Sequence, residues 1–341
     1  MKQITLLPAL VLFSFLIHAQ SPGIQILTSG TKSSLRGLSV VSDKVIWVSG
    51  SNGMVGKSSN GGEDWTWMTV KEFEKADFRD IEAFDDQTAI IIAIAEPAYI
   101  LKTTDGGEHW KTVYENKSKG MFLDAMDFAN NRSGIVVGDP VNGKIFIART
   151  HDAGDSWQEE DQGPLHPRPD SGEAFFAASG SNIQLLPDNN YYMVSGGLRS
   201  RLITRTAATD LPIIQGKETT GANGLGLFGT NGEQMVIAGG DFNADTSSLQ
   251  NCIYSTDKGK TWKNPQIPPH GYRSCAIFLS KKKLLACGLT GVDYSADGGK
   301  TWAWISREGF HVCGRAKSGT AVFLAGGNGK IAMLTGGHLS R

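Results

Sequence analysis

The chain has 341 residues, 42 of them glycine and 12 proline, with 33 basic side chains against 34 acidic ones. That length holds one large all-β domain or two ordinary ones, and glycine-rich turns between short apolar runs exclude a disordered chain. A net charge this close to zero excludes bulk attraction to nucleic acid or anionic lipid, so any recognition of an anion has to be local.

At the amino end, Met1–Ala19 carries one lysine and an apolar run from Ile4 to Ile17, followed by His18-Ala19 and Gln20. The pattern is that of an export leader cleaved near Ala19 or Gln20, and the run is short for a membrane span. The expectation is an exported protein, periplasmic or secreted, whose mature chain 20–341 forms one domain without a membrane span.

Short strands follow in groups of four. The first group reads Leu38–Val41, Val45–Val48, Met54–Lys57 and Trp65–Val70; the second reads Ile81–Phe84, Ala89–Ile94, Tyr99–Thr103 and Trp110–Val113. Between the third and fourth strand of a group stands one recurring octapeptide. Its copies are Ser58/Asn60/Gly62/Trp65, Thr103/Asp105/Gly107/Trp110, Thr150/Asp152/Gly154/Trp157, Ser255/Asp257/Gly259/Trp262 and Ser295/Asp297/Gly299/Trp302. The acid or amide accepts hydrogen bonds from backbone N–H groups two or three residues on. Glycine supplies the positive φ of the turn, and tryptophan opens the next strand with a large ring to bury. Asn60, Asp105, Asp152, Asp257 and Asp297 are therefore read as structural, as are the five tryptophans; no metal and no cofactor is expected.

The tryptophans stand 45, 47, 105 and 40 residues apart. The long interval is about two periods, so one copy has lost its signature; Tyr191–Ser195 and Arg201–Thr204 are what is left of it. A period of 40–50 residues with four short strands per unit predicts a β-propeller. After Trp302 come only three strands, Val312–Arg315, Ala321–Ala325 and Lys330–Leu334. Gly23–Thr28 supplies the fourth and closes the ring, which removes the exposed sheet edges. The expected fold is all-β, a single propeller of seven four-stranded blades.

The octapeptides resemble the Asp-box (BNR) repeats shared by sialidases, sortilin-like receptors and the photosystem II stability/assembly factor group, and the plain layout is most similar to the last. The resemblance implies a scaffold whose sites lie on the face opposite the boxes, around the channel mouth, and a non-enzymatic role in binding or assembling other proteins. Counting back from the tryptophans places Arg36, Arg79 and Arg273 in one slot leading into a first strand, and the local pattern Phe310-His311 adds His311. Leu123, Ser181 and Asn223 fill the slot in the other blades. Three guanidiniums and an imidazole around one mouth suit a carboxylate or phosphate. The competing reading is structural, each arginine pairing with a neighbouring blade's Asp80, Asp124 or Glu82.

Loops on the same face add Glu96-Pro97, Asp139-Pro140, Arg199 and Arg201. The longest departure from the repeat, Gln158–Gly180, brings His166, Arg168, Asp170 and Glu173 within reach of the mouth. Inside it, Glu173–Ala178 reads as a short helical turn that sends Phe175 and Phe176 into the core. Cys252, Cys275, Cys287 and Cys313 allow three pairings; Cys275 and Cys287 are expected on paired strands, either bridged or buried as small apolar side chains. Their spacing fits no zinc motif.

The function expected is that of a monomeric module binding a protein or a glycan with acidic groups, without nucleic acid. The alternative is a sialidase-like glycoside hydrolase acting on an acidic sugar, with Glu96, Asp139 and Glu173 as the candidate catalytic acids. Against it, the Arg-Ile-Pro segment of sialidases is absent, its nearest counterpart being Leu35-Arg36-Gly37, and no Tyr–Glu pair stands out.

Overall fold

The octapeptide turns are closed from within. In a computed structural model, which describes residues 21–28 and 30–336, the Thr103 hydroxyl donates to Asp105 Oδ1 (2.8 Å) and accepts from Gly107 N–H (3.0 Å). Asp105 Oδ1 in turn accepts from the N–H of His109 at 3.0 Å, four residues on. The same N–H four residues on is bonded in the other boxes, by Asn60, Asp152, Asp257 and Asp297, so the reach is longer than the two or three residues expected. The glycine at the box centre, φ 95° at Gly107, packs against the preceding blade: a Cβ there would meet the Met68 sulfur at 2.7 Å. Each box thus turns the third strand into the fourth and seats its blade on the preceding one.

The box tryptophans differ from the expectation that each opens a strand. Ladder pairing starts one residue later, at Thr66, Lys111, Gln158 and Ala303. The strand after Trp157 is only Gln158–Glu159, and after Trp262 no strand forms beyond the single bridge at Lys263. Pro265, with no N–H to donate, stops the ladder there. Burial is uneven too: Trp157 and Trp302 are buried, whereas Trp65, Trp110 and Trp262 are half-buried at the outer edge. Trp65 and Trp302 turn their indole N–H back to the box carbonyls of Gly62 and Gly299, at 3.1 Å each. The indole N–H groups of Trp157 and Trp262 have no acceptor among the described residues. Packing alone holds those two rings. Trp157 meets Phe128 edge-on, centroids 5.9 Å apart, in a cluster with Ile90; Trp262 sits with Leu202 and Met235.

Seven sheets result. Blade one is Leu35–Val40, Ile46–Gly50, Met54–Ser58 and Thr66–Thr69; blade two is Phe78–Ala83, Ala89–Ala93, Ala98–Thr103 and Lys111–Asn116. Blade three is Leu123–Phe128, Gly134–Val141, Lys144–Thr150 and Gln158–Glu159, and blade four is Ile183–Leu185, Tyr191–Val194, Arg201–Ile203 and Ala208–Asp210. Blade five has Thr220–Phe228, Gln234–Asp241 and Cys252–Ser255, its outer edge completed by the bridge from Tyr254 to Lys263. Blade six is Cys275–Phe278, Leu284–Gly288, Gly291–Ser295 and Ala303–Ser306. In blade seven, Val312–Arg315, Val322–Ala325 and Ile331–Thr335 are joined by Gly23–Thr28, which pairs antiparallel with the last strand from Gly23↔Thr335 to Ile26↔Ala332.

Each sheet lies between two others, so both faces of its inner strands need apolar cover. The second strands of blades one, two and six are buried at every residue, whereas the outermost strands Thr66–Thr69 and Ala303–Ser306 are largely exposed or half-buried. Blade four has no box; a Thr204–Ala207 turn replaces it. The expected helical turn at Glu173–Ala178 does not form. Glu173–Ala174 is extended and pairs with Gly196–Gly197, which continues to Gly221 of blade five. The cause is tertiary: the Glu173 carboxylate is ion-paired to Arg201 and accepts from Ser195, and bare Gly196 leaves room for the Phe176 ring.

Residues 1–19, where the export leader is expected, lie outside the described residues. Among the described residues no helix is long and apolar enough to cross a membrane.

Candidate functional site

Most first strands open with an extra residue. The ladder slips between Leu35 and Gly37, Phe78 and Asp80, Leu123 and Ala125, and Ala222 and Gly224, so that Arg36, Arg79, Asp124 and Asn223 are the bulged residues. A bulge re-aims a side chain out of the regular alternation. Arg36, Arg79 and Asn223, with Ser274 and His311 from blades six and seven, line a cavity of about 430 Å³ at the channel mouth. Its other wall is apolar: Phe176, Phe242, Tyr272 and Leu289. Phe242 meets Phe176 and Tyr272 edge-on, with ring centroids 5.8 and 6.3 Å apart, and the Tyr272 hydroxyl donates to Asn223 Oδ1 at 2.7 Å.

The two arginines are sparingly satisfied. Arg79 donates from Nε to Asp77 Oδ2 (2.8 Å) and from Nη1 to the Ala177 carbonyl (3.1 Å). Arg36 donates from Nη1 to the Ala178 carbonyl at 3.3 Å and has no carboxylate partner among the described residues. Burial, then the charge of Arg79, pulls the Arg36 pKa below its usual value. Burial, then these same two arginines, pulls His311 down to about 3, so its imidazole is neutral at pH 7; Ser34 Oγ lies 3.1 Å from its Nε2. Asp139 also lines the cavity, accepts from Phe175 N–H at 2.9 Å and is raised by burial. Behind it Asp124 is fully buried and raised well above the carboxylate range, by burial first and then by Asp139. The mouth is therefore two guanidiniums with donors to spare, facing aromatic rings. An anion entering it would relieve the repulsion between the arginines and fill the forked donors.

The BNR/Asp-box repeat family matches residues 253–264, the box of blade five. A structure of YCF48 bound to D1 peptide superposes with a TM-score of 0.64 at 17% identity, covering 91% of this chain and 96% of that one. YCF48 from Cyanidioschyzon merolae gives 0.65 at 17% identity, covering 91% and 98%. No curated protein matches the chain significantly by sequence. The fold is that of an Asp-box β-propeller.

On this Asp-box propeller the sequence-predicted residues divide. Arg36, Arg79, His311 and Asp139 share the mouth cavity. Arg273 does not. Its N–H bonds to Gly239 of the preceding blade, as those of Leu35, Leu123 and Phe310 bond to Gly326, Ile94 and Gly288. It thus occupies the buried anchor position one residue before the slot, at 0% exposure, with Nε 2.7 Å and Nη2 2.5 Å from Asp293. Ser274 holds the slot in blade six and Asp124 in blade three, each one residue on from the expected Arg273 and Leu123.

The remaining basic candidates are engaged elsewhere. Arg199 pairs with Asp170 and Asp210, and Arg201 with buried Glu173 and the Arg168 carbonyl. His166 is buried, its Nε2 2.8 Å from the Tyr191 hydroxyl. Arg168 is exposed, and Glu96 accepts from Gly120 N–H on the surface; neither lines the mouth. Sequence reasoning missed the aromatic wall, since Phe242 and Tyr272 look like any core aromatics. Their place in the chain, in the loop after a second strand and just before a slot, was the available signal.

Proposed function

We propose that the Arg36–Arg79 mouth binds a segment of another protein that presents a carboxylate next to an apolar side chain. The observation that carries this reading is Arg36, which has no carboxylate partner among the described residues, held beside Arg79 in a cavity shared with Phe176, Phe242 and Leu289. A charge-assisted bond to such an arginine is among the stronger polar contacts, and the rings give the neighbouring side chain a desolvated seat. YCF48, of the same fold, has been seen with a D1 peptide, which supports a protein segment over a glycan. The leader-like pattern of residues 1–19 supports placing this binding outside the cytoplasm, in the periplasm or the medium.

The test is calorimetry of the mature chain against short peptides carrying Asp, Glu or a terminal carboxylate beside Phe or Leu. Arg36→Ala and Arg79→Ala should each weaken binding by about 10-fold or more, with unchanged circular dichroism. Affinity unaltered in both variants would remove the site. Preferential binding of a sialic- or uronic-acid oligosaccharide would replace the protein segment with a glycan, and its cleavage would favour the hydrolase.

A further inference from the structure

Below the mouth, three thiols gather in the wall between blades six and seven. Cys275 and Cys287 are directly paired residues of one hairpin, and Cys313 is on the adjoining first strand of blade seven. All three are buried, and none is in a disulfide. The Sγ atoms of Cys275 and Cys313 are 3.7 Å apart, and the Cys275 thiol also donates to the Cys313 carbonyl at 3.4 Å. These two line the central cavity of about 290 Å³, together with Asp80, Glu82, Asp127 and Gly180; Cys287 does not reach it. The fourth cysteine, Cys252, is packed apart, with Val236, Ala276 and Trp302.

We propose that Cys275 and Cys313 are a thiol pair that closes a disulfide across blades six and seven when a small disulfide compound enters the channel. Hydrogen bonds from Cys287 and Cys313 hold the Cys275 thiol well below the usual range, which favours its thiolate, while burial pushes Cys287 up. The thiolate, not the thiol, is the nucleophile. Cys275 Sγ attacks one sulfur of the compound, the S–S bond breaks, and one thiolate leaves. Cys313 then gives up its proton and attacks the Cys275 sulfur, forming the Cys275–Cys313 bond and expelling the second thiolate. The two cysteines lose two electrons, the compound gains them, and the two protons end on the two thiols released. The sulfurs must close in by about 1.6 Å, from 3.7 Å to a bonded separation of about 2.05 Å. The bond would tie together two strands 38 residues apart in sequence, directly beneath the mouth.

The experiment uses the mature chain incubated with 2-hydroxyethyl disulfide, then alkylated and mapped by mass spectrometry without reduction. The expected result is one Cys275–Cys313 cross-linked peptide, two alkylated cysteines (Cys252 and Cys287), and a thermal midpoint raised by about 5 °C and reversed by dithiothreitol. Cys287→Ser should keep the cross-link and Cys313→Ser should lose it. A Cys275–Cys287 cross-link, a persistent mixed disulfide, or four alkylated cysteines in the wild-type chain would overturn the proposal. The wild-type mapping decides the matter even where a variant fails to fold.

Discussion

Asp152 and Asp257 sit in box turns at the surface, where hydrogen bonds from Ser156 and Thr261 hold each carboxyl down to about 2. Asp127 faces the channel instead, and burial pushes it up to about 7 against the N–H of Leu185, which it accepts at 2.5 Å. The signs of the two effects differ. A lowered acid adds stability above its unfolded value near 4, and that contribution is lost as pH falls through about 2. A raised acid binds a proton in the folded state that the unfolded chain has released, so stability falls as pH rises from about 4 to about 7 and stays lower beyond. Asp127→Asn, nearly the same shape, should therefore raise the thermal midpoint at pH 8 by about 3–6 °C and leave it unchanged at pH 4. Melting curves at the two pH values check this; an equal shift at both would show that charge is not the cause.

At this scale the sequence was partly legible. Arg36 and Arg79 were found because both stand at a near-constant distance from a box tryptophan; the bulges that re-aim them were not visible in the string. Arg273 was misplaced because blade six is one residue shorter than blade one between slot and tryptophan, and nothing in the string marked Asp293 as its buried partner. The box tryptophans repeat in the string, but their surroundings do not: Trp262 precedes a proline-broken edge, and Trp157 a strand of two residues.

Among elements, the strand Gly23–Thr28 is the one that closes the ring. It covers Ile331–Thr335, which would otherwise offer a row of unpaired backbone groups to another chain. A chain starting after residue 30 should melt about 5–10 °C lower than one starting at residue 20 and associate, as read by calorimetry and light scattering. A truncated chain that stays monomeric with the same midpoint would contradict the closure. This strand was legible from arithmetic alone, three strands at one end and one at the other. The missing box of blade four was equally legible from the doubled tryptophan interval. Glu173–Ala178 was not: its alanines favour a helix locally, but the ion pair with Arg201, 28 residues on, holds Glu173–Ala174 extended, and the turn that follows presents the Ala178 and Ala177 carbonyls to Arg36 and Arg79.

Across the whole molecule, alternate turns fall on opposite faces. Gly61 of a box bonds to Lys44 in the turn between first and second strands, while Ser51, beyond the second strand, bonds to Ser34 beside Arg36. Boxes therefore gather on one face and the first-strand bulges on the other, which leaves the mouth free of scaffold duty. That division is why fold and function were unequally legible: the boxes repeat because the turn chemistry repeats, whereas the mouth is built from single residues that differ from blade to blade. Exposed Leu198, Phe242 and Leu289 come from blades four to six, while Arg36, Arg79 and His311 come from blades one, two and seven, so the exposed apolar side chains and the basic ones are supplied by different blades.

Amide hydrogen exchange of the chain from residue 20 onward, with and without a saturating acidic peptide from the calorimetric panel, tests this division most directly. Slower exchange is predicted around Arg36, Arg79, Ala177, Tyr272 and His311, with the box turns at Asp105, Asp152, Asp257 and Asp297 unchanged. Protection centred on the box turns, with the mouth unaffected, would contradict it.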